Sequence, residues 1–79
     1  MGPWVREIRL ESIEPNRRYV VVTETLEMLC RSIREQGQLE PIRIIWRGNT
    51  FRILDGEKRW RACKILRRKT IIASIEEME

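Results

Sequence analysis

The segment Ile53-Leu54-Asp55-Gly56-Glu57-Lys58-Arg59-Trp60-Arg61-Ala62 restricts the fold more than any other part of this chain. An apolar, strand-like run stops at Asp55-Gly56, and a basic, helix-like run begins at once, so a strand must turn directly into a helix. Glycine at such a corner has no Cβ, permits a tight turn and lets a ligand approach its backbone closely. The opening N–H groups of a helix lack intrahelical partners and sit at the positive end of its dipole, so the corner suits an anion, phosphate above all. Turn geometry alone would also explain a lone glycine. The basic residues that follow are what favour the anion.

The remaining pattern supplies the elements around this corner. Ile8 and Leu10 flank Arg9 and predict a short strand near Glu7–Leu10. Pro15 and Asn16 then make a turn, which leads to Arg17 and Arg18. Thr23 is a fair N-cap, and Leu26, Leu29, Cys30 and Ile33 fall on one stripe of a helix expected from Glu24 to Gln36. Gly37 suits its C-terminal cap, and Pro41 forbids continuation. The β-branched and aromatic run Ile42–Trp46, a turn at Arg47-Gly48-Asn49 and a return over Thr50–Leu54 read as a hairpin. A second helix is expected over Glu57–Arg68, with Ala62, Ile65 and Leu66 inward, followed by a strand over Thr70–Ile75 and an acidic end. The order is β-α-β-β-α-β, a small α+β unit forming a single domain over residues 1–79.

Composition narrows the function classes. With 79 residues, 42% hydrophobic and 35% charged, the chain fits one soluble domain whose core is small, so every periodic apolar position is expected to pack. No apolar run approaches the roughly 20 residues that span a bilayer. The start lacks the regions of a signal peptide, so the expectation is a cytoplasmic protein with no membrane partner. There is no histidine, and Cys30 and Cys63 lie in no metal-ligand spacing, so they read as small buried apolar residues and not as a zinc site. Charge is uneven: from Arg43 to Lys69 ten Lys/Arg face only Asp55 and Glu57, a net +8 within a chain of net +4. Such a stretch points to phosphate-bearing partners; the alternative is a solvated, charged surface.

Within the corner the candidate anion ligands differ. Successive helical residues stand about 100° apart, so Arg59 and Arg61 diverge by about 200° and at most two of Lys58, Arg59 and Arg61 reach one anion. Arg59, in the first turn, offers a planar fork of donors suited to phosphate oxygens, while Arg61 is as well placed to pair with a carboxylate of the fold. Glu57 caps the helix dipole, holds a magnesium ion, acts as a general base or orients an arginine; the residues alone leave these alternatives open. Trp60 is expected to pack rather than stack on a base, and Trp4 and Trp46 are expected to be structural.

Three ordered segments carry a family resemblance. Gly56-Glu57-Lys58-Arg59-Trp60-Arg61-Ala62 is similar to the GERRxRA box of the ParB N-terminal domain, in the ParB/sulfiredoxin superfamily that includes the ParB-like nuclease domains. Gln36-Gly37-Gln38-Leu39-Glu40-Pro41-Ile42 resembles its GQ-x-x-PI segment, and Ile13-Glu14-Pro15-Asn16 with Arg17 and Arg18 resembles its early loop. The resemblance runs from about Ile8 to Ile75. It implies a nucleotide, CTP with Mg²⁺, whose phosphates are surrounded by Gly56, Glu57, Lys58 and Arg59, with Arg17 or Arg18 contributing and Glu57 as the candidate catalytic carboxylate. It also implies chromosome or plasmid partition or DNA-linked regulation. The alternatives are a non-specific DNA-binding module, or a nucleoside triphosphatase, kinase or nuclease of the same superfamily. Lys58 stands where the family has its first arginine. Sulfiredoxins carry their reactive cysteine at the position of Glu57, which argues against that chemistry. The family's downstream helical segment and helix-turn-helix do not occur in this chain, so the expectation is a binding half-site completed by self-association or by a protein supplying the helical segment.

Overall fold

In-register isoleucines build the sheet. In the computed structural model, which describes residues 4–15 and 23–77, five strands form one sheet. They are β1 (Val5–Arg9), β2 (Ile13–Glu14), β3 (Ile42–Trp46), β4 (Phe51–Asp55) and β5 (Thr70–Glu76), in the spatial order β1-β5-β3-β4-β2. β5 lies antiparallel to β1 and parallel to β3; β4 lies antiparallel to β3 and parallel to β2. Directly paired residues share a face. The pairs Ile8↔Ile71, Ile42↔Ala73 and Ile44↔Ile53 therefore make one apolar face. Helices α1 (Thr23–Gln36) and α2 (Glu57–Ile65) cover it, and Cys30, Ile33, Trp60, Ala62 and Cys63 join it in a single buried cluster. The result is the expected α+β architecture, two layers with the core between them.

The expected α1 stripe is the one that packs. Cys30 and Ile33 are buried, Leu26 and Leu29 partly so, and Gly37, at φ 75°, donates its N–H to the Ile33 carbonyl at 2.8 Å to end the helix. The hairpin also forms, with the Arg47 N–H bonded to the Thr50 carbonyl at 2.8 Å. Asn16, Arg17 and Arg18 lie outside the described residues.

Four details depart from expectation. Leu10–Ser12 is a 3-10 turn, not the end of a strand, and it leads into β2, a two-residue strand too short to show alternation. Helix α2 stops at Ile65 rather than Arg68. Arg67 adopts φ 59°, and the N–H groups of Arg68 and Arg67 bond the Cys63 and Lys64 carbonyls at 2.9 and 3.1 Å. That is the usual glycine-ended helix terminus formed with arginine at the left-handed position, so no glycine marked it. Ile65 faces out and is 57% exposed, because it stands about 200° round the helix from buried Cys63. Trp46 and Trp4 are half-exposed, Trp46 meeting the Phe51 ring edge-on at 4.9 Å.

Candidate functional site

Gly56 begins the site. It caps α2 at φ 105° with no side-chain cap, and its carbonyl accepts the Trp60 N–H at 3.0 Å, the first helical bond. A Cβ here would stand 2.5 Å from Ile42 Cγ2 and 2.8 Å from Ile42 Cβ. The close approach that requires glycine is thus the packing of α2 on β3. The first-turn amides after Gly56 are left without intrahelical acceptors, as at any helix start.

Arg59 locks this helix to the segment before β3. Its Nη1 donates to the carbonyls of Pro41 at 2.7 Å and Glu40 at 3.2 Å, while Nη2 lies 3.8 Å from the Asp55 carboxylate. The residue expected to hold phosphate is therefore already engaged, Nη1 on the two carbonyls and Nη2 in an ion pair with Asp55, so an anion reaching Nη2 must compete with that carboxylate. Gln38 braces the same segment, a role that residue-by-residue reasoning missed. Its amide accepts the Ile72 N–H at 2.8 Å and donates to the Ile72 carbonyl at 2.7 Å and the Glu40 carbonyl at 2.8 Å. Gln38 thereby continues the β3–β5 ladder one step beyond Ile42↔Ala73 with a side-chain amide. Two motifs separated in sequence, Gln38–Ile42 and Gly56–Arg59, form one unit in space.

Glu57 lies against the fold, with a side chain 2% exposed and an oxygen 3.3 Å from Arg61 Nη2, so Arg61 takes the carboxylate-pairing alternative. Lys58 is half-buried and has no ion-pair partner among the described residues. Asp55 is the exposed carboxylate of the corner. The structure brings together Gly56, Glu57, Lys58 and Arg59; Arg17 and Arg18, expected to join them, lie outside the described residues. Trp60 is in the core, as expected.

No group of three or more His, Cys, Asp or Glu side chains suited to a metal occurs among the described residues. Cys30 and Cys63 are free and buried, and burial pushes the Cys63 thiol up from its ordinary value. Among the described residues no helix is long and apolar enough to cross a membrane.

Comparison with known proteins gives one consistent family. A family model described as ParB N-terminal domain matches residues 2–79. A probable chromosome 1-partitioning protein ParB from Deinococcus radiodurans is 39% identical over 67 residues, which is 81% of this chain and 23% of that protein. The chain thus spans about a quarter of the length of the curated relatives it matches. Among solved structures, the C-terminally truncated chromosome-partitioning protein ParB from Caulobacter crescentus complexed with CTP-gamma-S superposes with a TM-score of 0.83. It is 34% identical and covers 95% of this chain and 45% of its own. Sulfiredoxin from Arabidopsis thaliana reaches a TM-score of 0.87 at 28% identity, covering 96% of this chain and 88% of its own.

Proposed function

The chain belongs to the ParB N-terminal domain family, and on that premise we propose that it binds a nucleoside triphosphate, CTP first, at the N-terminal end of α2. The observation that carries this reading is the braced corner. Gly56 and Arg59 hold α2 against the Gln38–Ile42 segment, so the first-turn amides and Lys58 are fixed in place before any ligand arrives. A preorganised set of donors loses little freedom on binding. The solved relative with a CTP analogue, at 34% identity, supports the choice of nucleotide.

In this proposal the amides after Gly56 and the Lys58 ammonium hold phosphate oxygens, and Arg59 adds a third donor set as its Nη2 exchanges Asp55 for phosphate. Arg17 and Arg18 contribute from the early loop, as the family resemblance implies. Mg²⁺ enters on the triphosphate, since such ions are held chiefly by phosphates, water and one or two carboxylates. Asp55 is the exposed carboxylate at hand. Catalysis with Glu57 as base or metal ligand would first require that carboxylate to leave Arg61. Chromosome or plasmid partition is the process in which we place the binding.

Calorimetric titration with CTP, ATP and GTP in the presence of Mg²⁺ tests the proposal. CTP should bind, and Lys58→Ala should weaken it about tenfold or more, since a charge-assisted hydrogen bond contributes about 1.5–3 kcal/mol. Absence of heat with all three nucleotides at about 1 mM, a concentration that detects about −4 kcal/mol of binding, refutes it.

A further inference from the structure

The ten basic residues from Arg43 to Lys69 do not make one surface. Arg43 donates to Glu76 at 2.7 Å, Arg52 lies 3.6 Å from Glu14, Arg61 faces Glu57, and Arg59 is bound to carbonyls. Those four have partners within the fold, and Arg59 belongs to the nucleotide corner besides. Of the other six, Arg47 is exposed in the β3–β4 turn and Arg67 is exposed just past α2, both outside the cleft at that helix's far end. The remaining four divide along α2, a helix of about 13 Å. Lys58 stays at its start, in the nucleotide corner. Lys64, Arg68 and Lys69 stand at its far end, where no carboxylate partners them among the described residues.

These three cations line an open cleft of about 730 Å³ between the 3-10 turn and α2. Leu10 and Trp60 form part of its apolar wall, and Arg9 is on its edge. Arg9 is paired with Glu11, so the acidic residue of the rim is already neutralised and the net excess is the three cations. The Lys64 ammonium sits 5.0 Å over the Trp60 ring, which holds it at the cleft wall. Trp60 itself is buried, and its indole N–H has no acceptor among the described residues. Lys64, Arg68 and Lys69 are exposed. Cations at a helix C-terminus offset its dipole, but one is enough for that, and the effect falls off within a turn. Three gathered beside a cleft repel one another until an extended anion reaches them.

We propose that this cleft binds the phosphodiester backbone of a nucleic acid, by charge and without reading bases. The ring of Trp60 is buried and has the Lys64 ammonium over it, so it is not free to stack on a base. Three exposed cations on one open cleft carry more charge than a single phosphate group neutralises, so a ligand with repeated phosphates fits better. Its three cations are at the opposite end of α2 from Lys58, and the proposal does not depend on the nucleotide assignment.

Fluorescence anisotropy with a labelled duplex and a labelled single strand, over about 50 to 200 mM salt, tests it. Affinity should fall linearly on a log–log plot. The triple variant Lys64→Gln/Arg68→Gln/Lys69→Gln should reduce the slope by about 3 and weaken binding at least about tenfold at the lowest salt. Lys69→Gln alone, outside any helix, should reduce the slope by about 1, which guards against a folding defect in the triple variant. A matched variant, Arg6→Gln/Arg31→Gln/Arg34→Gln, removes equal charge elsewhere and should leave the slope unchanged. Duplex and single-strand arms show which form of the backbone is preferred. Three results overturn the proposal: no binding of either nucleic acid at about 50 mM salt, equal loss in the two triple variants, or poly-glutamate binding through these residues as tightly as DNA. CTP titration of the cleft variant separates the sites, because the corner residues are untouched.

Discussion

Replacing Gly56 with alanine probes the contact on which the corner rests. Two costs arise. An L-residue in the left-handed region, here φ 105°, costs about 1–2 kcal/mol. The new methyl would also lie 2.5 Å from Ile42 Cγ2 and 3.2 Å from Ile42 Cα. The first neighbour can turn away, but the second is backbone in the middle of the sheet. Relieving that clash shifts α2 off β3, an overpacking cost of about 1–3 kcal/mol. The sum is about 2–5 kcal/mol, against about 4–12 kcal/mol for a chain of this length. Gly48→Ala isolates the first cost, because Gly48 has φ 93° and a Cβ added there would meet nothing within 4 Å. Urea unfolding followed by the fluorescence of buried Trp60 measures both variants. Gly56→Ala should be the more destabilising by about 1–3 kcal/mol. Combining it with Ile42→Ala, which removes Cγ2, should cost less than the two single changes added, with a coupling of about 0.5–3 kcal/mol. If the two glycine variants agree within about 0.5 kcal/mol and the double variant is additive, steric contact with Ile42 is not the reason for glycine at this position.

Two other outcomes follow from the described geometry. Arg67→Gly should stabilise the protein by about 1 kcal/mol, the left-handed cost removed less the added freedom of glycine in the unfolded chain, and thermal melting by circular dichroism should rise by about 4–8 °C; an unchanged or lower midpoint counts against strain at φ 59°. Burial raises the Cys63 thiol above its ordinary 9.0, so the native state keeps a proton that the unfolded chain releases; stability should be full below that value and fall as pH rises through it towards the native one, and Cys63→Ala should lack that part of the decline in urea titrations.

Much of this fold is legible locally. The α1 stripe declares itself because apolar residues recur at the helical period and Gly37 ends it. The β3–β4 hairpin and the Asp55-Gly56 corner follow from β-branched runs broken by turn residues. β2 is too short to carry a pattern, and the end of α2 falls at an arginine in a conformation that sequence assigns to glycine. Ile65 misleads because apolarity suggested burial, whereas the phase of α2 is set by Trp60, Ala62 and Cys63.

Local sequence accounts for the two helices, the hairpin, the last strand and an anion-friendly helix start, though not for β2, since backbone sterics and near-neighbour periodicity decide them. Tertiary structure alone decided which cations are available there. Arg59 meets Pro41 across 18 residues, Gln38 meets Ile72 across 34, and Arg43 meets Glu76 across 33. Those partners become neighbours through the strand order β1-β5-β3-β4-β2, which no local propensity specifies. Charge counted along the chain therefore gives one basic stretch. Charge placed in the fold gives a braced corner at the start of α2, three cations on an open cleft at its end, and arginines on β3, β4 and α2 already held by carboxylates and carbonyls.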